Sequence, residues 1–349
     1  MNRDSSVRIL DPRDVRDATE IARLRSEDYF FVDTYDEQLK ELKEIQDPES
    51  VGGTHKDLAD EPGERVVVYP WRKTLVRIVG PEAYYELRTN RNRDLLTQEE
   101  QKRFAAARIG FAGLNVGNPG AVCVALEGGS HATKLADLDT LSVTNLNRFR
   151  AGLPDLGVNK ATLTARQILE VDPYYAIELY DQGLAPDTIG AFLEGLDLLV
   201  DEMDALSLKI AVREAAKSLK IPVIMVTGNG EGILLDVERY DTDPDLPILN
   251  GLMEPRVFNA IMHPSGSLTP REKVALARDF MGAKYLDPRL VDSFSRFGSD
   301  LIGIPQLAES SFMRGAALCY AAKAIILGRP LPSSRYAFSF TDKMQIARQ

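Results

Sequence analysis

From Arg108 onward the chain alternates short apolar, β-rich runs with stretches of helix length. The runs are RIGFAG, ATKLADLD, YAIELYD, LDLLVDEMD and IPVIMVTGNG. Between them lie PGAVCVALEGG, NKATLTARQILEVDP, APDTIGAFLEG and ALSLKIAVREAAKSLK. Strands this short and this continuously apolar are buried on both faces, and helix-length connections bring each one back parallel to the last. The order therefore predicts an α/β fold, doubly wound around a mainly parallel Rossmann-like sheet. Asn159 is placed to start the second helix, and Pro173 stops it.

The flanking segments read differently. Residues 1–87 form an α+β extension. DPRDVRDATEIARLRSEDYF and DEQLKELKEI have helical spacing, DPESVGGTHKDLADEPGE is a polar connection, and RVVVYPWRKTLVRIV is a hairpin turning at YPWRK. Trp71, the only tryptophan, sits near that turn as a packing anchor. Residues 88–240 are the core, and 241–349 are mostly helical, with core completion and a possible dimer contact as their expected roles. The segments TPREKVALARDFMG, DPRLVDSFSRFG and QLAESSFMRGAALCYAAKAIILG carry that helical pattern, the last apolar nearly all round.

Composition narrows the partners. A net charge of −10 argues against a nucleic-acid partner, which calls for a cationic face. No apolar run is long enough to span a bilayer, and MNRDSSVRILDPRD has no signal-peptide core, so a cytoplasmic location is expected. The two cysteines, Cys123 and Cys319, are too few for a four-thiolate site, and no zinc is expected.

The candidate site lies at the strand ends. GFAGLNVGNPG, Gly110 to Gly120, follows a strand and opens a helix, where a phosphate turn belongs. It is neither G-x-G-x-x-G nor a lysine-containing P-loop. Asp137 ends the next strand at the position from which an acid grips ribose hydroxyls. Taken this far, a dinucleotide-dependent oxidoreductase fits. The next residues redirect the reading, because Asn145, Arg148 and Lys160 suit the dense negative charge of a triphosphate. Asp201 and Asp204, in LVDEMD, end another core strand, where a carboxylate can hold Mg2+.

Together these segments resemble the ThiF/MoeB and ubiquitin-activating-enzyme superfamily of ATP-dependent adenylyltransferases, from about Arg88 to Tyr240. LRTNRNRDLL is similar to that family's R-Y-x-R-Q segment, DLDTLSVTNLNR to its D-x-D-x-[VI]-x-x-S-N-L-x-R, and GVNKA to its G-x-x-K-A. The resemblance implies a sheet of the ThiF/MoeB type. It gives Asp137 the ribose, Asn145 and Arg148 the phosphates, and Lys160 the α-phosphate. Asp204 becomes the Mg2+ ligand, and Arg91 the arginine that enters a partner subunit's site. Gly113, Asn115, Gly117 and Asp139 complete the expected nucleotide contacts. Asn115, Val116 and Asn118 stand where the family has glycines. Neither cysteine falls where thioester-forming members place their nucleophile. ELRTNRN, NLNRFRAGLPDLGVNKA and LLDVERYD resemble a bacterial ThiF-type subgroup often fused to a nitroreductase-like domain.

The expected activity is ATP-dependent adenylation of a carboxylate, giving acyl-AMP and pyrophosphate without an internal catalytic cysteine. ATP and Mg2+ are the expected cofactors, and a homodimer is the expected assembly. The substrate would be a peptide or carrier-protein C-terminus, or a small acid. The alternatives are a nucleotide-binding scaffold of the same fold without turnover, a dinucleotide-dependent oxidoreductase, or adenylation leading to dehydration or AMP transfer.

Overall fold

A computed structural model describes residues 6–50, 52–53, 56–58, 61–264 and 266–340. The chain divides into two compact units. The first comprises Met1–Ala105, Ala125–Gly128 and Arg166–Tyr175, and the second Ala106–Val124, Gly129–Ala165 and Ala176–Gln349.

In the first unit the hairpin forms as expected. β3 (Glu64–Tyr69) pairs antiparallel with β4 (Thr74–Val79) around the Pro70–Arg72 turn. Two further strands flank it, β1 (Arg8–Leu10) antiparallel to β3 and β2 (Phe30–Asp33) parallel to β4. Sequence reading overlooked both, and at three and four residues they are too short to show a period. Helix α1 (Val15–Ser26) starts at Asp14, whose carboxylate accepts from the Arg16 and Asp17 N–H groups. It is followed by α2 (Tyr35–Gln46), α3 (Pro81–Thr89) and α4 (Gln98–Ala106). The expected polar connection falls partly on residues 51, 54, 55, 59 and 60, outside the described residues. Trp71 packs edge-on against Tyr69 at 5.6 Å and donates its indole N–H to Glu170 Oε1 at 2.5 Å, as an anchor would.

The second unit is built on a seven-stranded sheet of order β11-β10-β9-β8-β5-β6-β7. Its strands are β5 (Arg108–Ala112), β6 (Ala132–Ala136), β7 (Ala176–Tyr180), β8 (Leu198–Asp201), β9 (Val223–Asn229), β10 (Gly232–Glu238) and β11 (Ser334–Ser339). β7, β6, β5, β8 and β9 run parallel, while β10 and β11 add an antiparallel edge. The alternating segments named above supply the helices: α5 (Asn118–Leu126), α6 (Lys160–Val171), α7 (Ile189–Leu193) and α8 (Leu206–Ser218). Asn159 caps α6 by accepting from the Ala161 and Thr162 N–H groups at 2.9 and 3.0 Å. In β8, Leu198, Leu199 and Val200 are each 0% exposed. Burying such side chains contributes about 1.5–3 kcal/mol apiece.

After β10 come α9 (Pro255–Met262), α10 (Pro270–Met281), α11 (Pro288–Arg296) and α12 (Ala308–Ile326). α10 starts in a capping box of Thr269 with Glu272, and α11 at Asp287. α12 packs on β9, β10 and β8. β11, not read from the sequence, is fixed on β10 by register and charge. Arg335 lies opposite Asp236, and its Nε reaches the buried carboxylate at 2.7 Å. Among the described residues no helix is long and apolar enough to cross a membrane.

The chain visits β5, β6 and β7 toward one edge and then returns to lay β8 beside β5. Neighbouring crossovers therefore leave the sheet in opposite directions at β5/β8, which opens a crevice at the carboxyl ends of these strands.

Candidate nucleotide-binding site

A cavity of about 250 Å³ fills this crevice. It is lined by Gly113 and Asn115 after β5, by Asp137 and Asp139 after β6, and by Glu202 and Asp204 after β8. Five of the residues singled out in the sequence thus meet at one place. Gly117, Asn145, Arg148 and Lys160 flank it without lining it, and Arg91 lies in the other unit on the short Asn90–Asn92 turn, exposed.

The glycines are there for close approach. Gly113 has φ +88°, and a Cβ on it would collide with the Glu202 backbone carbonyl. A Cβ on Gly117 would collide with the carbonyl oxygen of Gly113. The asparagines that replace the remaining loop glycines behave differently from each other. Asn118 is fully buried and donates to Thr164 Oγ1 at 2.9 Å, so it serves packing. Asn115 keeps a buried Oδ1 with no partner at the cavity wall.

Asp137 is held by two backbone donors, Leu114 N–H at 2.6 Å and Asp139 N–H at 2.8 Å. Burial pushes its carboxyl above the ordinary value, and those N–H groups oppose the rise. Lys160 is buried at the first turn of α6, with Nζ 3.0 Å from Asp139 Oδ2. Its ammonium is thereby carried to a carboxylate of the cavity wall. Asn145 is also buried, but its Oδ1 caps its own turn by accepting from Ser142 N–H and Oγ at 3.1 Å. Only its amide nitrogen is left to meet a ligand.

Arg148 follows in the same loop. Its Nη1 donates to Thr144 O and Asn147 Oδ1, while its Nε is buried without a partner. Burial lowers its pKa, and the Asp204 charge opposes that change. The loop is fastened to the C-terminal segment, where Ser311 Oγ donates to Arg148 O at 3.0 Å and Asn147 Nδ2 to Gln306 O at 2.9 Å.

The two acids suggested as metal ligands separate. Asp201 is fully buried and paired with Lys209 Nζ at 3.2 Å and with Arg213. Burial alone would raise its pKa, but these two cations outweigh it and hold the carboxylate low. It is structural. Asp204 is exposed at the rim, and its carboxylate makes no side-chain hydrogen bond or ion pair among the described residues. A carboxylate open at a phosphate-sized crevice suits Mg2+, which takes one or two protein oxygens and keeps waters and phosphate oxygens for the rest.

Two groups at the cavity walls, Glu202 and Arg314, escaped the sequence reading. Glu202 separates the crevice from a second cavity of about 200 Å³, whose walls also include Lys209 and Arg314. Burial pushes its carboxyl up to about 8, against the lowering influence of Lys209 and of the Val226 N–H, which donates to Oε1 at 2.5 Å. The sequence signals were a second acid in VDEMD and an arginine inside the apolar run SFMRGAALCY. Neither cysteine lines either cavity.

Glu202 makes stability pH-dependent. Its folded pKa lies above the ordinary carboxyl value, so the proton it holds favours the folded state. That contribution is complete below the unfolded value of about 4.5 and is lost as pH rises through about 8. Melting temperature is expected to fall over this window, and to fall less in Glu202→Gln, which does not titrate. Equal slopes in the two proteins would contradict the assignment.

Comparison with known proteins places the family and the fold. Residues 88–238 match the ThiF family. An uncharacterized protein of Mycobacterium tuberculosis (strain CDC 1551 / Oshkosh) is 36% identical over 335 residues, 95% of this chain and 45% of that protein. The tRNA threonylcarbamoyladenosine dehydratase of Escherichia coli (strain K12) is 31% identical over 130 residues, 36% of this chain and 48% of that protein. The chain thus spans about half the length of these curated relatives. The crystal structure of SeMet PaaA shares the fold, with TM-score 0.50 and 16% identity over 74% of this chain and 68% of that one. Residues 88–238 of this chain are therefore a ThiF-family domain.

Proposed function

We propose that this protein uses ATP to adenylate a substrate carboxylate, releasing pyrophosphate. The observation that carries the reading is the strand-end crevice, which combines a backbone-lined loop at Gly113, an acid at Asp137 and an open carboxylate at Asp204, with the buried Lys160 and the half-buried Arg148 beside it. A dinucleotide has no use for the last three of these.

In this reading Asp137 accepts hydrogen bonds from ribose hydroxyls, and the loop amides approach the phosphates. Lys160 exchanges Asp139 for the α-phosphate, and Arg148 turns its unpartnered Nε and remaining N–H groups to the phosphate chain. Asp204 would hold Mg2+, which when bound neutralises charge on the leaving pyrophosphate. One carboxylate oxygen of the substrate attacks the α-phosphorus, and a P–O–C bond forms. The bond from the α-phosphorus to the bridging oxygen breaks, and pyrophosphate departs with that electron pair. No proton transfer is required, so positioning and charge stabilisation supply the rate. With no cysteine at the cavity, either an external nucleophile or a nucleophilic group of the substrate itself attacks the acyl carbon of the acyl-AMP and AMP leaves, the second case being a net dehydration of the substrate. Product mass distinguishes these two fates.

The assembly belongs to the same proposal. Arg91, exposed and without an ion pair among the described residues, acts in the site of a second copy of the chain. Mixing inactive Arg91→Ala and Lys160→Ala proteins should restore up to about a quarter of wild-type activity, because mixed symmetric dimers regain one intact site. No recovery after subunit exchange would remove the role in trans. The adenylation itself is tested by carboxylate-dependent ATP–pyrophosphate exchange.

A further inference from the structure

The second cavity contains a cation that the fold does not satisfy. Arg314, on α12, is 1% exposed. Its Nη1 donates to Gln306 Oε1 at 3.1 Å, while Nε and Nη2 are buried with no partner. Burial lowers its pKa to about 10; the Glu202 charge opposes this, and Arg148 and Arg150 add to it. Buried donors left unpaired cost folding free energy, and a buried guanidinium without a carboxylate costs more. Arg213, the other fully buried arginine among the described residues, is by contrast paired with Asp201 and Glu238.

Its surroundings make room for a guest. Gly228 passes beside the guanidinium, and a Cβ there would come within 3.3 Å of Nη1. Beyond Arg314 the cavity is walled by Met225, Phe280, Leu290, Phe294 and Ile304. At about 200 Å³ it exceeds the roughly 150 Å³ cavity that holds benzene in another protein. Through Glu202, Met203 and Asp204 it shares a wall with the nucleotide crevice.

We propose that this cavity is the acyl pocket: Arg314 receives the carboxylate to be activated, and the apolar walls take a compact uncharged group of the same molecule, about the size of a leucine or phenylalanine side chain. The inference rests on the adenylation reading for which carboxylate is meant. It selects, among peptide C-termini and small acids, those with an apolar group next to the carboxylate. Arg314 here binds and orients substrate. Two N–H groups held toward a carboxylate give a charge-assisted, bidentate contact that an amide cannot reproduce.

The test uses the full-length protein without nucleotide and three probes measured by calorimetry: N-acetyl-leucine, N-acetyl-leucinamide and N-acetyl-glutamate. N-acetyl-leucine should bind at least about tenfold more tightly than either of the others, as expected for one charge-assisted contact and one apolar group. Arg314→Met, which keeps length and apolar volume, should melt no lower than wild type and should bind the acid and the amide alike. Equal wild-type affinity for all three probes, no binding of any, or unchanged discrimination in Arg314→Met would overturn the pocket. So would a marked fall in the melting temperature of that variant, because it would make Arg314 a structural cation. N-acetyl-leucine binding that depends on Arg314, without exchange for any acid, would keep the pocket and remove adenylation. Exchange supported only by acids with charged side chains would keep adenylation and remove the pocket.

Discussion

Lys160→Ala should slow carboxylate-dependent ATP–pyrophosphate exchange by about two to three orders of magnitude, the usual loss when one preorganised charge facing a transition state is removed. Lys160 reaches the cavity wall from the first turn of α6, its stem buried and its ammonium 3.0 Å from Asp139. Asp139 is about half exposed, so the ion pair in the nucleotide-free protein adds little stability, about 0–1 kcal/mol. A residue held this firmly for so little structural gain is positioned for a ligand. Exchange kinetics, with melting temperature as the folding control, check the point. Lys160→Arg should recover part of the rate, since it restores charge in a different shape. A loss below about fivefold in Lys160→Ala, far short of a preorganised charge, would remove Lys160 from the chemistry.

Arg213→Leu should be the most damaging single change to the fold, costing about 3–5 kcal/mol. Arg213 is fully buried between Asp201 at the end of β8 and Glu238 at the end of β10. Glu238 also accepts from Tyr240 Oη at 2.5 Å and from Leu249 N–H at 2.6 Å. The guanidinium therefore ties α8 to two strands and to the chain after β10. Removing it leaves two buried carboxylates, of which Asp201 keeps Lys209 and Glu238 keeps only neutral donors. Urea unfolding checks the cost. A double variant, Arg213→Leu with Glu238→Gln, should recover part of it, because the charge left without a cation goes too. A change below about 1 kcal/mol in the single variant would show that water replaces the arginine.

Much of this site could be read in the sequence because strand ends are read by position. The apolar runs RIGFAG, ATKLADLD and LDLLVDEMD place Gly113, Asp137 and Asp204 at neighbouring carboxyl ends once the strands are parallel, as they are. Asn159 as a helix start and the YPWRK turn are local chemistry and appear where expected. Which partner claims each polar group was not legible, because side-chain geometry decides it. Asp201, which stood beside Asp204 as a strand-end carboxylate, is claimed by Lys209 and Arg213 on the following helix. Asn145 looked like a phosphate donor, and half of its amide is spent on its own turn. Arg314 lies far beyond the nucleotide motifs on a helix whose apolar character suggested only packing, and the fold alone brings it to Glu202.

Adenylation itself is tested most directly by exchange of labelled pyrophosphate into ATP, with Mg2+ and a panel of carboxylic acids and peptide C-termini. Label is expected to enter ATP only when an acid is present, fastest with acids bearing one apolar group, and to fade in Lys160→Ala and Arg148→Ala. A protein that binds ATP but exchanges no label with any acid in the panel would contradict adenylation and leave a nucleotide-binding scaffold.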